Sequence, residues 1–211
     1  MANLITLSRL LLLMAVVVIA YQPPSPWQLA NVCLLILVFV TDGLDGYVAR
    51  RRNEATLFGA LFDIAGDRIV ELTMWIVLAD LDLVPIWVPI VFVVRGTIVD
   101  TIRASHSRRE GDSPFAMMET PMGRWLVAGK FMRIFYAVLK ATAFCWLLFL
   151  QPFALVLPRI WAAWGGVMSG FGDFLVYLSV FICLLRGLPV VAEFLYQERD
   201  AILGRAGPAG H

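Results

Sequence analysis

Four aspartates, Asp42, Asp45, Asp63 and Asp67, stand among small residues and arginines in the stretch TDGLDGYVARRRNEATLFGALFDIAGDR, between two long apolar segments. Written as a helix, Asp42, Asp45, Gly46 and Ala49 fall at i, i+3, i+4 and i+7 on one face. Gly59, Asp63 and Asp67 fall at i, i+4 and i+8 on one face of a second helix. A short turn near Arg51 to Ala55 would bring the two faces together, so that the four carboxylates converge. Like charges held that close are costly unless cations neutralise them. The all-oxygen donor set suits a hard divalent ion, Mg²⁺, Mn²⁺ or Ca²⁺; the plainer alternative makes some of these aspartates helix caps or solvated loop charges. Carboxylates with divalent ions support phosphoryl transfer, because metals hold phosphate oxygens and offset charge in the transition state. A carboxylate nearby can take the proton of an attacking alcohol. On these residues alone a phosphatase, a pyrophosphatase and an ion transporter stand beside a transferase.

The elements that must carry this site are membrane helices. Of the 211 residues, 60% are hydrophobic and 16% charged, and the mean hydropathy is +0.80. That is too apolar for an ordinary soluble domain and long enough for about six crossings with short connections. The expected fold is therefore an all-α integral membrane protein of six transmembrane helices with an N-terminal interfacial portion, in a single domain over residues 1–211. A net charge of +1 gives no global field that argues for nucleic acid. Cys33, Cys145 and Cys183 form no spacing motif and are expected as packed thiols.

In chain order, the first helix is expected over Leu4 to Tyr21, with Arg9 inside it, and prolines in Gln22 to Pro26 end it. The second runs from Trp27 to Ala49 and the third from Thr56 to Ala79. Arg50, Arg51 and Arg52 mark their junction as cytoplasmic. Gly59, Ala60 and Gly66 leave room for close helix approach. Glu71 lies one turn beyond Asp67 on the same face, either tuning the site or meeting another polar residue, and Asp80 and Asp82 read as solvated outer-loop charges. The fourth helix is expected over Leu83 to Ala104, with Arg95 and Arg103 roughly on one face and His106 near it. The connection Ser105 to Arg124 carries Arg108 and Arg109 and again marks the cytoplasm. The fifth, Trp125 to Leu150, places Lys130, Arg133 and Lys140 on one polar stripe that should face the bundle or a polar cavity. An outer connection, Gln151 to Gly170, with Pro152, Pro158, Trp161 and Trp164, leads to a sixth helix from Phe171 to Leu188. Both termini and the aspartates then lie on the cytoplasmic side of a cell membrane.

The pattern Asp42-x2-Asp45-Gly46-x2-Ala49-Arg50-x8-Gly59-x3-Asp63-x3-Asp67 resembles, without a missing residue, the signature of the CDP-alcohol phosphatidyltransferase family. The opening Asn3-x2-Thr6-x2-Arg9 is similar to the start of bacterial members, where the N-terminal stretch helps close the nucleotide-lipid site; alternatively Arg9 only snorkels to headgroups. The resemblance implies an enzyme that moves the phosphatidyl group of CDP-diacylglycerol to a small hydroxyl acceptor and releases CMP, in contact with bilayer lipid and as a homodimer. It implies that Asp42, Asp45, Asp63 and Asp67 hold two divalent ions, Mg²⁺ or Mn²⁺, with Asp67 also the general base. Gly46, Ala49, Arg50 and Gly59 line the CMP part. Cations at Arg95, Arg103, Arg108, Arg109, Lys130 and Arg133 are candidates for an acceptor phosphate and favour a phosphorylated alcohol over neutral inositol. The general N-terminal and core pattern resembles bacterial glycerol-3-phosphate transferases, which makes glycerol 3-phosphate the first choice. Inositol phosphate, inositol and serine stay open. Many glycerol-phosphate transferases read Asp-Pro-x2-Asp-Lys where this chain has Asp63-Ile64-Ala65-Gly66-Asp67-Arg68, and the Asp67-Arg68 pair is closer to inositol or inositol-phosphate transferases. A divalent-ion transporter is the non-enzymatic alternative; it would leave the nucleotide-side residues of the signature without a role.

Overall fold

The computed structural model describes the backbone at residues 2–52, 57–110 and 129–197, and side chains at 6–41, 59, 61–102, 104 and 129–196. Among the described residues there is no strand. The described residues hold six long helices: α1 Ala2–Ala20, α2 Leu29–Arg52, α3 Leu57–Asp80, α4 Trp87–Glu110, α5 Lys130–Val156 and α6 Pro158–Gln197, with a 3₁₀ turn at Pro26–Gln28 before α2.

Polar side chains close the α1–α2 corner. A helix leaves its last carbonyls without intrahelical donors, and three of those at the end of α1 accept bonds from elsewhere. Val17 O accepts from the Tyr21 amide at 3.2 Å, Ile19 O from the Gln22 amide at 3.1 Å, and Ala20 O from Gln151 Nε2 of α5 at 2.6 Å. Gln28 Nε2 donates to Gln22 O at 2.7 Å, and buried Asn31 of α2 donates from Nδ2 to Val16 O at 3.0 Å. Pro26 occupies the first position of the 3₁₀ turn, where a missing N–H costs nothing.

The α3 terminus is closed by backbone alone. Leu83 N donates to Leu78 O at 2.9 Å and Asp82 N to Ala79 O at 3.1 Å, with Asp82 at φ 56°. This is the paired six-to-one and five-to-two bonding of a left-handed helix cap, here with an aspartate where glycine is usual. Asp80 accepts the Tyr21 hydroxyl at 2.5 Å on Oδ2, so this charge is exposed yet partnered.

The chain forms two compact units, Met1–Pro89 with Leu139–Tyr177, and Ile90–Val138 with Leu178–His211. In the first unit α1 packs on α2 and α3. Its core holds Leu13, Val16, Leu35, Val38, Met74 and Leu78, with Trp75 edge-on to Phe144 at 4.6 Å between centroids. In the second, Val99, Ile102 and Val190 form a buried cluster with Leu185, Val191 and Phe194 against it.

The outward faces are apolar as well. Phe174, Tyr177, Phe181, Leu184 and Leu188 repeat every three or four residues along α6 and are exposed, as are Leu11, Met14 and Val18 on α1. Exposed apolar stripes of this length suit hydrocarbon rather than water. Among the described residues, helices α5 and α6 are long and apolar enough to cross a membrane; the apolar stretches Thr6–Ala20 and Pro26–Thr41 are shorter. With this composition the chain is a membrane protein.

Several boundaries differ from the sequence expectation. The second helix starts at Leu29, after the 3₁₀ turn, and α4 runs from Trp87 through Glu110, so Ser105 to Glu110 is helix rather than connection. The long outer connection Gln151 to Gly170 is helical almost throughout. Helix α5 continues past Pro152 to Val156, and α6 begins at Pro158, where proline fits the first helical turn. The prolines that read as a loop are therefore one interior proline and one helix start. Helix α6 also passes through Pro189, so the expected stop after Leu188 is absent, and its 40 residues are twice the roughly 20 that a crossing needs. Of the cysteines, Cys183 is buried and Cys145 partly buried, but Cys33 is exposed rather than packed.

Candidate active site

The carboxylates of α3 meet a buried cation. Asp63 and Asp67 lie one turn apart, and Arg9 of α1 reaches both, with Nη1 3.1 Å from Asp67 Oδ1 and Nη2 4.0 Å from Asp63 Oδ1. The Arg9 side chain is only 1% exposed, whereas that of Asp67 is 57% exposed. Arg9 therefore does not snorkel to headgroups. Its burial is compensated by carboxylates whose other faces remain open, as a buried charge requires.

One turn further along α3, Glu71 is buried at 7% exposure. Its Oε1 accepts from Lys140 Nζ of α5 at 2.5 Å, and its Oε2 from Arg68 Nη1 at 2.9 Å. Each carboxylate oxygen thus has a cation of its own. Glu71 forms an ion-pair bridge from α3 to α5, meeting other polar groups of the bundle one turn from Asp67.

The aspartate pair fits a hard cation in chemistry: two carboxylates on one helix face, all oxygen, with open surface on Asp67. Among the described residues no three His, Cys, Asp or Glu side chains converge as a metal group. Asp42, Asp45, Gly46, Ala49 and Arg50 lie on α2 in the helical register that the spacing requires, but their side chains fall outside the described residues. Gly59 lies in the first turn of α3. The turn expected over Arg51 to Ala55 falls largely at residues 53–56, also outside them.

The acceptor candidates separate. Lys130 and Arg133 are exposed, while Lys140 turns inward to Glu71, so the expected stripe does not share one environment. Lys130 is the first residue of α5, whereas Lys140 lies level with a buried carboxylate that draws it in. Arg95 is half-buried in the second unit and its stem lies against α6 at Gly187, where an added Cβ would stand 2.9 Å from both Cγ and Nε. Its Nε is buried and makes no hydrogen bond. The side chains of Arg103, His106, Arg108 and Arg109 lie outside the described residues.

Arg186 of α6 was not singled out by spacing. It is buried at 8% exposure, donates from Nη1 to Met132 O at 3.3 Å, and sits 5.3 Å from the Tyr136 ring centroid. Arg95 and Arg133 act on it as like charges. An arginine inside an apolar run, two residues before the expected helix end at Leu188, was the available signal.

A family model described as CDP-alcohol phosphatidyltransferase matches residues 1–172 of this chain. Similar curated proteins carry the name CDP-diacylglycerol–glycerol-3-phosphate 3-phosphatidyltransferase. The Bacillus subtilis protein is 32% identical over 114 residues, 48% of this chain and 58% of its own length. That of Wigglesworthia glossinidia brevipalpis is 28% identical over 102 residues, 47% of this chain and 56% of its own. That of Salmonella choleraesuis is 34% identical over 68 residues, covering 32% and 37%. The matches span less than two thirds of these relatives.

Proposed function

The chain belongs to the CDP-alcohol phosphatidyltransferase family, and we propose that it transfers the phosphatidyl group of CDP-diacylglycerol to glycerol 3-phosphate and releases CMP. The observation that carries this reading is the α3 carboxylate face, where Asp63 and Asp67 are aligned by a buried cation and Asp67 keeps open surface. The names of the curated relatives support the acceptor.

In this reading Asp42, Asp45, Asp63 and Asp67 would hold two divalent ions, Mg²⁺ or Mn²⁺, which when bound supply charge neutralisation at phosphate oxygens. Asp67 accepts the proton of the acceptor hydroxyl. The acceptor oxygen bonds to the phosphorus that carries diacylglycerol, and the bond from that phosphorus to the bridging oxygen of CMP breaks. Gly46, Ala49 and Gly59 give the nucleotide close approach to backbone, and Arg50 gives it donors. Arg95, with its buried unbonded Nε, heads the cations that would hold the acceptor phosphate, together with Arg103, Arg108, Arg109, Lys130 and Arg133. The Asp67-Arg68 pair favours inositol phosphate as the second acceptor to test.

Purified protein in lipid, given CDP-diacylglycerol, Mg²⁺ or Mn²⁺ and one acceptor at a time, tests the proposal. CMP release should be fastest with glycerol 3-phosphate. Release only with inositol phosphate, inositol or serine would move the acceptor and leave the transfer site standing, whereas no release with any acceptor would reject the transferase. The proposed topology is multi-pass, with both termini and the aspartates cytoplasmic. A cysteine placed within residues 105–112 should react from the cytoplasmic side and one at Asp82 from outside, in a background lacking Cys33. The opposite pattern would overturn that orientation.

A further inference from the structure

Gly66 sits between the two α3 aspartates, and its missing side chain makes room for Arg9. A Cβ at Gly66 would stand 2.5 Å from Arg9 Nη2, 3.6 Å from Arg9 Cζ and 3.0 Å from Thr6 Cγ2. A 2.5 Å approach is one that carbon does not make, so the guanidinium lies directly on the α3 backbone. Thr6, one turn before Arg9 on α1 and also buried, stands against the same point of α3. From this seat Nη1 reaches Oδ1 of Asp67, while that side chain stays more than half exposed.

We propose that Gly66 and Arg9 form a seat that positions Asp67, fixing which carboxylate oxygen faces the protein and which faces the reacting groups, and placing one cation beside the aspartate pair. This deepens the transferase reading and rests on it for its kinetic part. Arg9 is a positioning residue: it acts through Asp67. Gly66 is required for close approach of a side chain from another helix, and its own backbone is helical. A guanidinium has a planar fork that holds a carboxylate in a set orientation. Lysine in its place would keep the charge and lose the fork.

The discriminating variant is Gly66→Ala, which removes no charge and no hydrogen-bonding group but evicts the guanidinium. Its kcat should fall about tenfold or more, with the KM for CDP-diacylglycerol within about threefold of the parent. Arg9→Lys should fall in the same way. In an Arg9→Gln background, the added Gly66→Ala change should cost less than about twofold, because two changes that remove one contact do not add. A second measurement does not depend on turnover: Mn²⁺ binding to the purified protein, read by paramagnetic resonance. Both Arg9→Gln and Gly66→Ala should tighten Mn²⁺ binding by at least about threefold, since each takes a competing cation from the aspartates. Full additivity of the two changes, or Mn²⁺ affinity unchanged in both, would overturn the proposal. A parent protein that releases no CMP but shows both Mn²⁺ shifts would sink the transferase reading and leave the seat intact.

Discussion

Two arginines lie against glycines of other helices, Arg9 on Gly66 and Arg95 on Gly187, and the company they keep differs. Arg9 ends at two carboxylates, and near it Glu71 takes one cation on each oxygen. Arg95 keeps a buried Nε without a hydrogen bond and stands in the field of Arg186, itself held by a carbonyl and an aromatic face. The packing device is the same: glycine removes the Cβ that would bar a long side chain. In the first unit the charges are matched by the fold, so they contribute to holding helices together. In the second, cations gather near one another, an arrangement whose repulsion an anionic ligand would relieve.

That contrast assigns the largest effect on stability to the matched region. Lys140→Met should destabilise the protein by about 3 kcal/mol, the lower part of the range for breaking a buried pair, because Arg68 still serves Glu71. Adding Glu71→Gln should recover more than half of the loss. Unfolding in detergent measures both, and a negligible loss for Lys140→Met would break the comparison. Next in size, Asp67→Asn should lower the turnover of folded protein about 10²-fold or more, because it keeps the side-chain shape and loses the proton acceptor and one anionic ligand. It should also cost stability, because buried Arg9 loses its nearest carboxylate. Near-native turnover would remove Asp67 from its assigned role.

The cationic region should answer differently. Arg95→Gln should raise the acceptor KM about tenfold or more, as expected from losing a charge-assisted phosphate contact of about 1.5–3 kcal/mol, and should leave the KM for CDP-diacylglycerol within about threefold. A fall in folded yield with no selective change in acceptor KM would make Arg95 a structural cation like Arg68 and Lys140 on Glu71.

The smallest effect lies where Tyr21, just after α1, meets Asp80 at the end of α3. The hydrogen bond to Asp80, then slight burial and the carboxylate's charge, push the Tyr21 hydroxyl above its ordinary range. A raised folded pKa means that this contact contributes fully below the unfolded value of about 10 and is lost as pH rises through the folded one. Tyrosinate absorbance of the parent minus Tyr21→Phe should show a midpoint that Asp80→Asn moves down. An unmoved midpoint would show that the contact has no hold on the hydroxyl.

What the sequence determined by itself was local or compositional. Apolar content and run length imply membrane helices, and the spacing of Asp63 and Asp67 places them on one helical face because the period of a helix is fixed. The same spacing placed Glu71 on that face, and the signature pointed to the family that the comparison then supplied. Tertiary structure decided what those faces meet. The ends of the Arg9–Asp67 and Glu71–Lys140 pairs lie 58 and 69 residues apart in the chain, and no local period relates them. It decided that Arg9 is buried rather than drawn to headgroups, that Lys140 leaves the stripe of Lys130 and Arg133, and that Arg186 joins Arg95. It also decided the helix ends. Pro152 and Pro189 carry a local preference to stop, but each removes one backbone donor from helices long enough to continue, and Pro158 falls where α6 begins and no donor is needed. Local preference is worth a few kcal/mol at most; the packing of neighbouring helices, which no short window of sequence contains, outweighs it.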